Sequence, residues 1–189
     1  MNFMDNAAVK QENNRFLSPR RIIEQAGIRI GSVVADFGCG QGDFVLAVAR
    51  IVGSEGKVCA IDIQDSALSS TRSKTRIEGI LNVDLKKANV EVYGSTGLAD
   101  ASQDVVLLTN LLFQTEKKED VIKETARVMK QGGIAVFTDW KKGVPLGPSH
   151  PLRTEREEVE RLMAKGGFVF QKDIDAGMFH FGMVFTKKA

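Results

Sequence analysis

Two aspartates and three glycines carry the chemistry that is legible first. Asp36, Gly38, Gly40 and Gly42 alternate within Val-Val-Ala-Asp-Phe-Gly-Cys-Gly-Gln-Gly-Asp-Phe, residues 33–44, and Asp62 follows further along. Glycines at this spacing let the backbone take positive φ and let a ligand lie against bare peptide. A carboxylate about 20 residues beyond such a turn commonly accepts the two hydroxyls of a ribose, as a charge-assisted pair. The combination reads as a cradle for a nucleoside. The dinucleotide fingerprint Gly-x-Gly-x-x-Gly would need its third glycine where Asp43 stands. An acid in the first helical turn competes with a pyrophosphate for that end, and Asp36 adds a second negative charge. The turn therefore suits a ligand with positive charge better than a diphosphate. S-adenosylmethionine, with a sulfonium, an ammonium and no phosphate, has that character.

These residues need a strand to end at Asp36 and a helix to start after Gly42. Val33, Val34 and Ala35 supply the apolar run of a central parallel strand, and Phe44, Leu46, Val48 and Ile51 give a helix over 43–52 an apolar side. A second strand over 57–61 ends at Asp62. Further helices are predicted over 19–26 (Ser18 as N-cap, Gly27 as stop), 67–78 and 117–130, the last halted by Gly132-Gly133. Another starts from a capping box at Thr154-Glu155-Arg156-Glu157 and runs to about 165. Strands are expected over 82–88, 104–108, 134–138, 168–173 and 179–187. Strands alternating with helices indicate an α/β fold, a mostly parallel sheet covered on both faces.

Asp36-Phe37-Gly38-Cys39-Gly40-Gln41-Gly42 resembles the first motif of the class I S-adenosylmethionine-dependent methyltransferases. The resemblance runs from about Ser18 to the C-terminus. It is greatest to the small stand-alone members related to the ubiquinone/menaquinone-biosynthesis type. It implies a Rossmann-like seven-stranded sheet of order 3-2-1-4-5-7-6, only the seventh strand antiparallel. It implies one domain over 18–189, preceded by an arm over 1–17 that closes over the cofactor or straps onto the surface. It also implies roles: Asp36, Gly38, Cys39, Gly40 and Gly42 around the cofactor turn, Asp62 on the ribose and Ile63 against adenine. Asn89 would receive the adenine amino group, with Val90 touching the ring, and a backbone carbonyl near Thr109 or Asn110 would meet the ammonium. Other readings stand beside these: a bare tight turn, Asp62 as a charge for the next helix, and Asn89 as a turn residue.

Nothing in the sequence spells out a catalytic base. His150, in the proline-rich loop over 141–153 read as a substrate lid, and Asp139, at a strand end, are the candidates. His180 faces either the pocket or solvent, and Phe113 borders the methyl group or belongs to the core. Thr109-Asn110-Leu111-Leu112 is not the Asn-Pro-Pro-Tyr signature of nucleobase amino methylation. A net charge of +2 from 26 basic and 24 acidic residues offers no broad nucleic-acid face. Cys39 and Cys59 have no metal or disulfide spacing, so no metal is expected and a reducing cytoplasm is the default. No apolar run approaches a membrane span. The expected activity is direct displacement of a methyl group from S-adenosylmethionine by an unidentified small-molecule or protein side-chain nucleophile. The alternatives are a nicotinamide-dependent oxidoreductase and a non-catalytic adenosyl-binding partner subunit.

Overall fold

The computed structural model describes residues 16–188. The expectation for an N-terminal arm therefore lies outside the described residues, except for Phe16 and Leu17. A seven-stranded sheet of order 3-2-1-4-5-7-6 forms the centre. In chain order its strands are β1 (Val33–Phe37), β2 (Lys57–Asp62), β3 (Val83–Lys87), β4 (Gln103–Thr109), β5 (Met129–Trp140), β6 (Phe168–Ile174) and β7 (His180–Lys187). β7 runs antiparallel to both β5 and β6, and every other pairing is parallel, as the resemblance implies.

Alternation along the strands splits the core in two. Val34, Leu107 and Val136 face helices α1 (Pro19–Ala26), α2 (Asp43–Val52) and α3 (Asp65–Ile77). Ala35, Leu108 and Phe137 face α4 (Lys118–Val128) and α5 (Arg156–Lys165). Asp36 alternates with Val34 and so turns toward the α1–α2 side at the C-terminal end of β1. That end is where open α/β sheets bind ligands.

Four helix ends differ from the sequence reading, and one of them is the start of α3, at Asp65 rather than 67. Ser18 occupies the N-cap of α1, yet its side chain makes no cap hydrogen bond. α4 stops at Val128 rather than at Gly132-Gly133. The reason comes from far along the chain: Lys187 Nζ donates to the carbonyls of Ala126 (2.7 Å) and Met129 (2.8 Å), satisfying acceptors that the helix end leaves open. Met129 then pairs with Gln103, residues 130–133 bulge out with Gly132 at φ 72°, and regular pairing resumes at Ile134. The capping box does not form, because α5 takes Glu155 as N-cap and Thr154 is buried one residue earlier.

Candidate functional site

The turn between β1 and α2 is fastened to β2. The amides of Gly38 and Cys39 both donate to the carbonyl of Ile61, at 2.8 and 2.9 Å. The Gly40 amide donates to Oδ2 of Asp62 and the Gln64 amide to Oδ1, both at 2.9 Å. Asp62 thus fixes the turn and its own strand end together. Each oxygen retains a lone pair, so a ribose can still be accepted.

The three glycines do different work. All have positive φ: 74° at Gly38, 52° at Gly40 and 85° at Gly42. A Cβ at Gly38 would lie 2.9 Å from Leu111 Cδ1, and one at Gly42 would lie 2.6 Å from Thr71 Oγ1. Those two are needed for packing. A Cβ at Gly40 would meet nothing within 4 Å, so this peptide faces open space on the cavity side.

Two cavities adjoin the turn, and Gly38 and Gln114 line both. The first, about 250 Å³, is lined by Asp62, Ile63, Asn89 and Val90. The second, about 510 Å³, is lined by Leu17, Phe44, Thr109, Asn110, Phe113 and Trp140. Cys39 and Gly40 also line the second cavity, as does Asp43. Asp43 is paired with Lys74 at 2.7 Å, which moderates its opposition to an anion at the α2 N-terminus.

Asp36 lies beneath the turn, fully buried, and neither carboxylate oxygen has a hydrogen-bond partner among the described residues. Burial, and secondarily the Asp62 charge, push its pKa up to about 7. A buried carboxylate without a partner is costly. Asp36 lines neither cavity, so its negative charge reaches the glycine turn only as a field, whose sign matches the sulfonium and ammonium of S-adenosylmethionine rather than a phosphate.

Asn89 Oδ1 accepts from the Glu91 amide at 2.9 Å, an Asx turn, and its Nδ2 makes no hydrogen bond among the described residues. Both sequence readings of Asn89 are compatible with that arrangement. Ile63 forms an exposed rim, while Val90 is buried. Asn110 takes a φ of 51°, donates its amide to Thr138 O at 2.8 Å, and accepts on its carbonyl from Gln114 Nε2 at 3.0 Å.

The proposed bases fare differently. Asp139 is buried, and its two oxygens accept from the amides of Trp140 (2.8 Å) and Phe113 (3.2 Å). Burial lifts its pKa to about 6, with those two amides pulling the other way. The side chain of His150 lies outside what the structure describes. His180 is not at the surface: it is buried against Trp140, ring centroids 4.0 Å apart, with both nitrogens unpartnered among the described residues. Burial, helped by Lys141, lowers its pKa to about 4, so the imidazole is neutral at pH 7. Burial raises the Cys39 thiol to about 12 and the Cys59 thiol to about 11, which leaves both protonated. Among the described residues no cluster of His, Cys, Asp or Glu could hold a metal ion.

The loop over 141–153 is not an open flap. The buried guanidinium of Arg153 donates to three of its carbonyls, those of Lys141, Leu146 and Pro148. Sequence reasoning missed this clamp, and it gave Trp140 and Gln114 no place in the cavity wall. Trp140 carried a signal: it is the only tryptophan and sits at the C-terminal end of a parallel strand.

Residues 28–181 match the methyltransferase-domain family. The ubiquinone/menaquinone biosynthesis C-methyltransferase UbiE of Shewanella pealeana is 32% identical over 160 residues, 83% of this chain and 61% of that protein. Its counterpart in Klebsiella pneumoniae is 32% identical over 153 residues, 78% of this chain and 60% of that protein. The chain thus spans about three fifths of the length of these relatives. A SAM-dependent methyltransferase from Aquifex aeolicus superposes with a TM-score of 0.83 at 22% identity, covering 96% of this chain and 98% of its own. Among the described residues no helix is long and apolar enough to cross a membrane. Sheet order, glycine turn and family match agree, and the chain belongs to the class I S-adenosylmethionine-dependent methyltransferases, among the relatives of the ubiquinone/menaquinone-biosynthesis enzymes.

Proposed function

We propose that this protein moves the methyl group of S-adenosylmethionine to an acceptor held in the larger of the two cavities. The observation that carries this reading is the meeting of both cavities at Gly38 and Gln114. A nucleoside fills the smaller cavity, where Asp62 takes the ribose hydroxyls and Asn89 and Val90 take the adenine. The glycine turn, in the field of Asp36, receives the charged half of the cofactor. When bound, the cofactor supplies a methyl carbon made electrophilic by its sulfonium.

The chain's own contribution is placement. Phe44, Phe113, Trp140 and Leu17 give the acceptor cavity an apolar wall, which suits a small, partly apolar molecule. Alignment of nucleophile and methyl group, with solvent displaced, lowers a barrier by up to roughly 7–11 kcal/mol in well-oriented cases. Asp139 acts here as a positioning residue, since its oxygens hold the amides of two wall residues. The single domain over 18–189 and the arm over 1–17 belong to the same reading, with the arm closing beside Leu17.

The test is transfer of radiolabelled methyl from S-adenosylmethionine to fractionated small-molecule and protein extracts. The expected result is one labelled small-molecule fraction, lost in Trp140→Ala while S-adenosylhomocysteine still binds. Label in protein alone would contradict the acceptor reading.

A further inference from the structure

Trp140 stands at the last rung of the β5–β7 ladder, opposite His180. The Lys141 amide extends that pairing by donating to Phe179 O at 2.9 Å, so the sheet fixes the Trp140 backbone on both sides of the residue. The indole ring is held separately. His180, itself buried, packs against it with centroids 4.0 Å apart.

A second neighbour of the ring comes from the loop over 141–153. Gly147 has a φ of 97°, and a Cβ there would lie 2.4 Å from Trp140 Cε3, 2.5 Å from Cδ2 and 2.9 Å from Cζ3. Bare backbone therefore lies against the six-membered ring of the indole, an approach that only glycine permits. Arg153 imposes this seat. Its Nη2 donates to the carbonyl of Leu146 (2.7 Å) and its Nε to that of Pro148 (3.0 Å), the two residues flanking Gly147. Its Nη1 donates to the carbonyl of Lys141, the residue after Trp140. Charge-assisted bonds of this kind are strong, and Arg153 is buried. One guanidinium thus ties the chain leaving Trp140 to the chain that rests on its ring. Pro145, Leu146 and Gly147 are exposed, so the loop is not seated there by burying apolar side chains of its own.

We propose that Gly147 and Arg153 are positioning residues for methyl transfer: they fix the Trp140 ring, and through it the shape of the acceptor cavity, so that the 141–153 loop sets which acceptor fits. Trp140 lines that cavity, while Gly147 and Arg153 do not, so both act through the ring. That this cavity holds the acceptor rests on the methyl-transfer reading; the bracing of the ring does not.

The test uses the full chain, whose single tryptophan makes fluorescence a direct report on this ring. Gly147→Ala and Arg153→Gln should each shift Trp140 emission and its quenching by acrylamide, and both should keep the parent's affinity for S-adenosylhomocysteine. Transfer of labelled methyl to the extract fraction that the parent labels should fall about 100-fold, the cost of misplacing a reactant by about 1 Å. Gly132→Ala is the control: its φ is 72°, but a Cβ there meets nothing within 4 Å, so neither readout should change. If Gly147→Ala does not fold, adding Trp140→Leu should restore folding by removing the overlapped ring. Unchanged fluorescence in a folded Gly147→Ala, or no rescue of an unfolded one, would overturn the brace. A displaced ring with undiminished transfer would overturn its part in acceptor choice. A parent that labels nothing would overturn the methyl-transfer reading and the acceptor role with it, and the fluorescence would still decide the brace.

Discussion

Asp36 and Glu124 are both fully buried carboxylates, and they have opposite fates. Glu124, in α4, accepts from Arg127 (2.7 and 2.9 Å), the Gly94 amide (2.8 Å) and Thr96 Oγ1. Burial alone would raise its pKa, but these partners outweigh it and hold the group at about 2. Arg127 also reaches Asp100 and the Leu98 carbonyl, so the whole loop over 93–102 is stapled to one helix. Asp36 has no such partners and stands at about 7. That contrast separates a carboxylate that holds the fold together from one whose charge no group among the described residues answers.

Substitution can break the comparison most forcefully at its satisfied end. Glu124→Ala leaves Arg127 largely buried with fewer partners. Removing one member of a buried pair costs about 3–5 kcal/mol, and urea denaturation at pH 7 should show a loss of that order. A loss below 1 kcal/mol would mean that solvent reaches the network.

The unsatisfied end predicts a gain. Between its unfolded pKa near 3.8 and its folded value of about 7, Asp36 keeps a proton in the folded chain that the unfolded chain has lost. Stability of the ligand-free protein therefore falls as pH rises through that window. Asp36→Asn should remove this fall, leaving the variant about equal at pH 4 and roughly 2–4 kcal/mol more stable at pH 8. Parallel pH–stability curves for parent and variant would contradict the assignment.

Asp62→Ala should weaken S-adenosylhomocysteine about 10- to 150-fold in calorimetry, from the lost charge-assisted bonds to ribose. An unchanged affinity in a folded variant would reduce Asp62 to a fastener of the glycine turn. The smallest effect belongs to His180. Its folded pKa of about 4 lies below the ordinary 6.5, so the unfolded chain takes up the proton first and stability is lost as pH falls through that range. His180→Phe should retain about 1 kcal/mol more stability than the parent on going from pH 7 to pH 5.5, read by urea unfolding at the two pH values.

Much of the cofactor half was legible because its signals are local. Asp36, three alternate glycines and Asp62 fall within 27 residues, and the strand and helix around them are set by short-range pattern. The C-terminal half depends on partners distant in sequence. Lys187 ends α4, Asp139 holds the Phe113 amide, and Arg153 gathers carbonyls from across its loop. A capping spelling at Thr154 is misleading for the same reason: tertiary packing buries the residue and moves the helix start to its neighbour. Glu124, in the middle of an amphipathic helix, is buried by the 93–102 loop, a contact that no local pattern announces.

The most direct test of the cation-seeking turn is calorimetric binding of S-adenosylmethionine, S-adenosylhomocysteine and NADH at pH 6 and pH 8, in the parent and in Asp36→Asn. A cation favours the ionised form of Asp36, so S-adenosylmethionine should bind about tenfold more tightly at pH 8 than at pH 6 in the parent. That gain should shrink sharply in Asp36→Asn, and NADH should not bind either protein. Binding of NADH, or a pH dependence identical in the two proteins, would contradict the account.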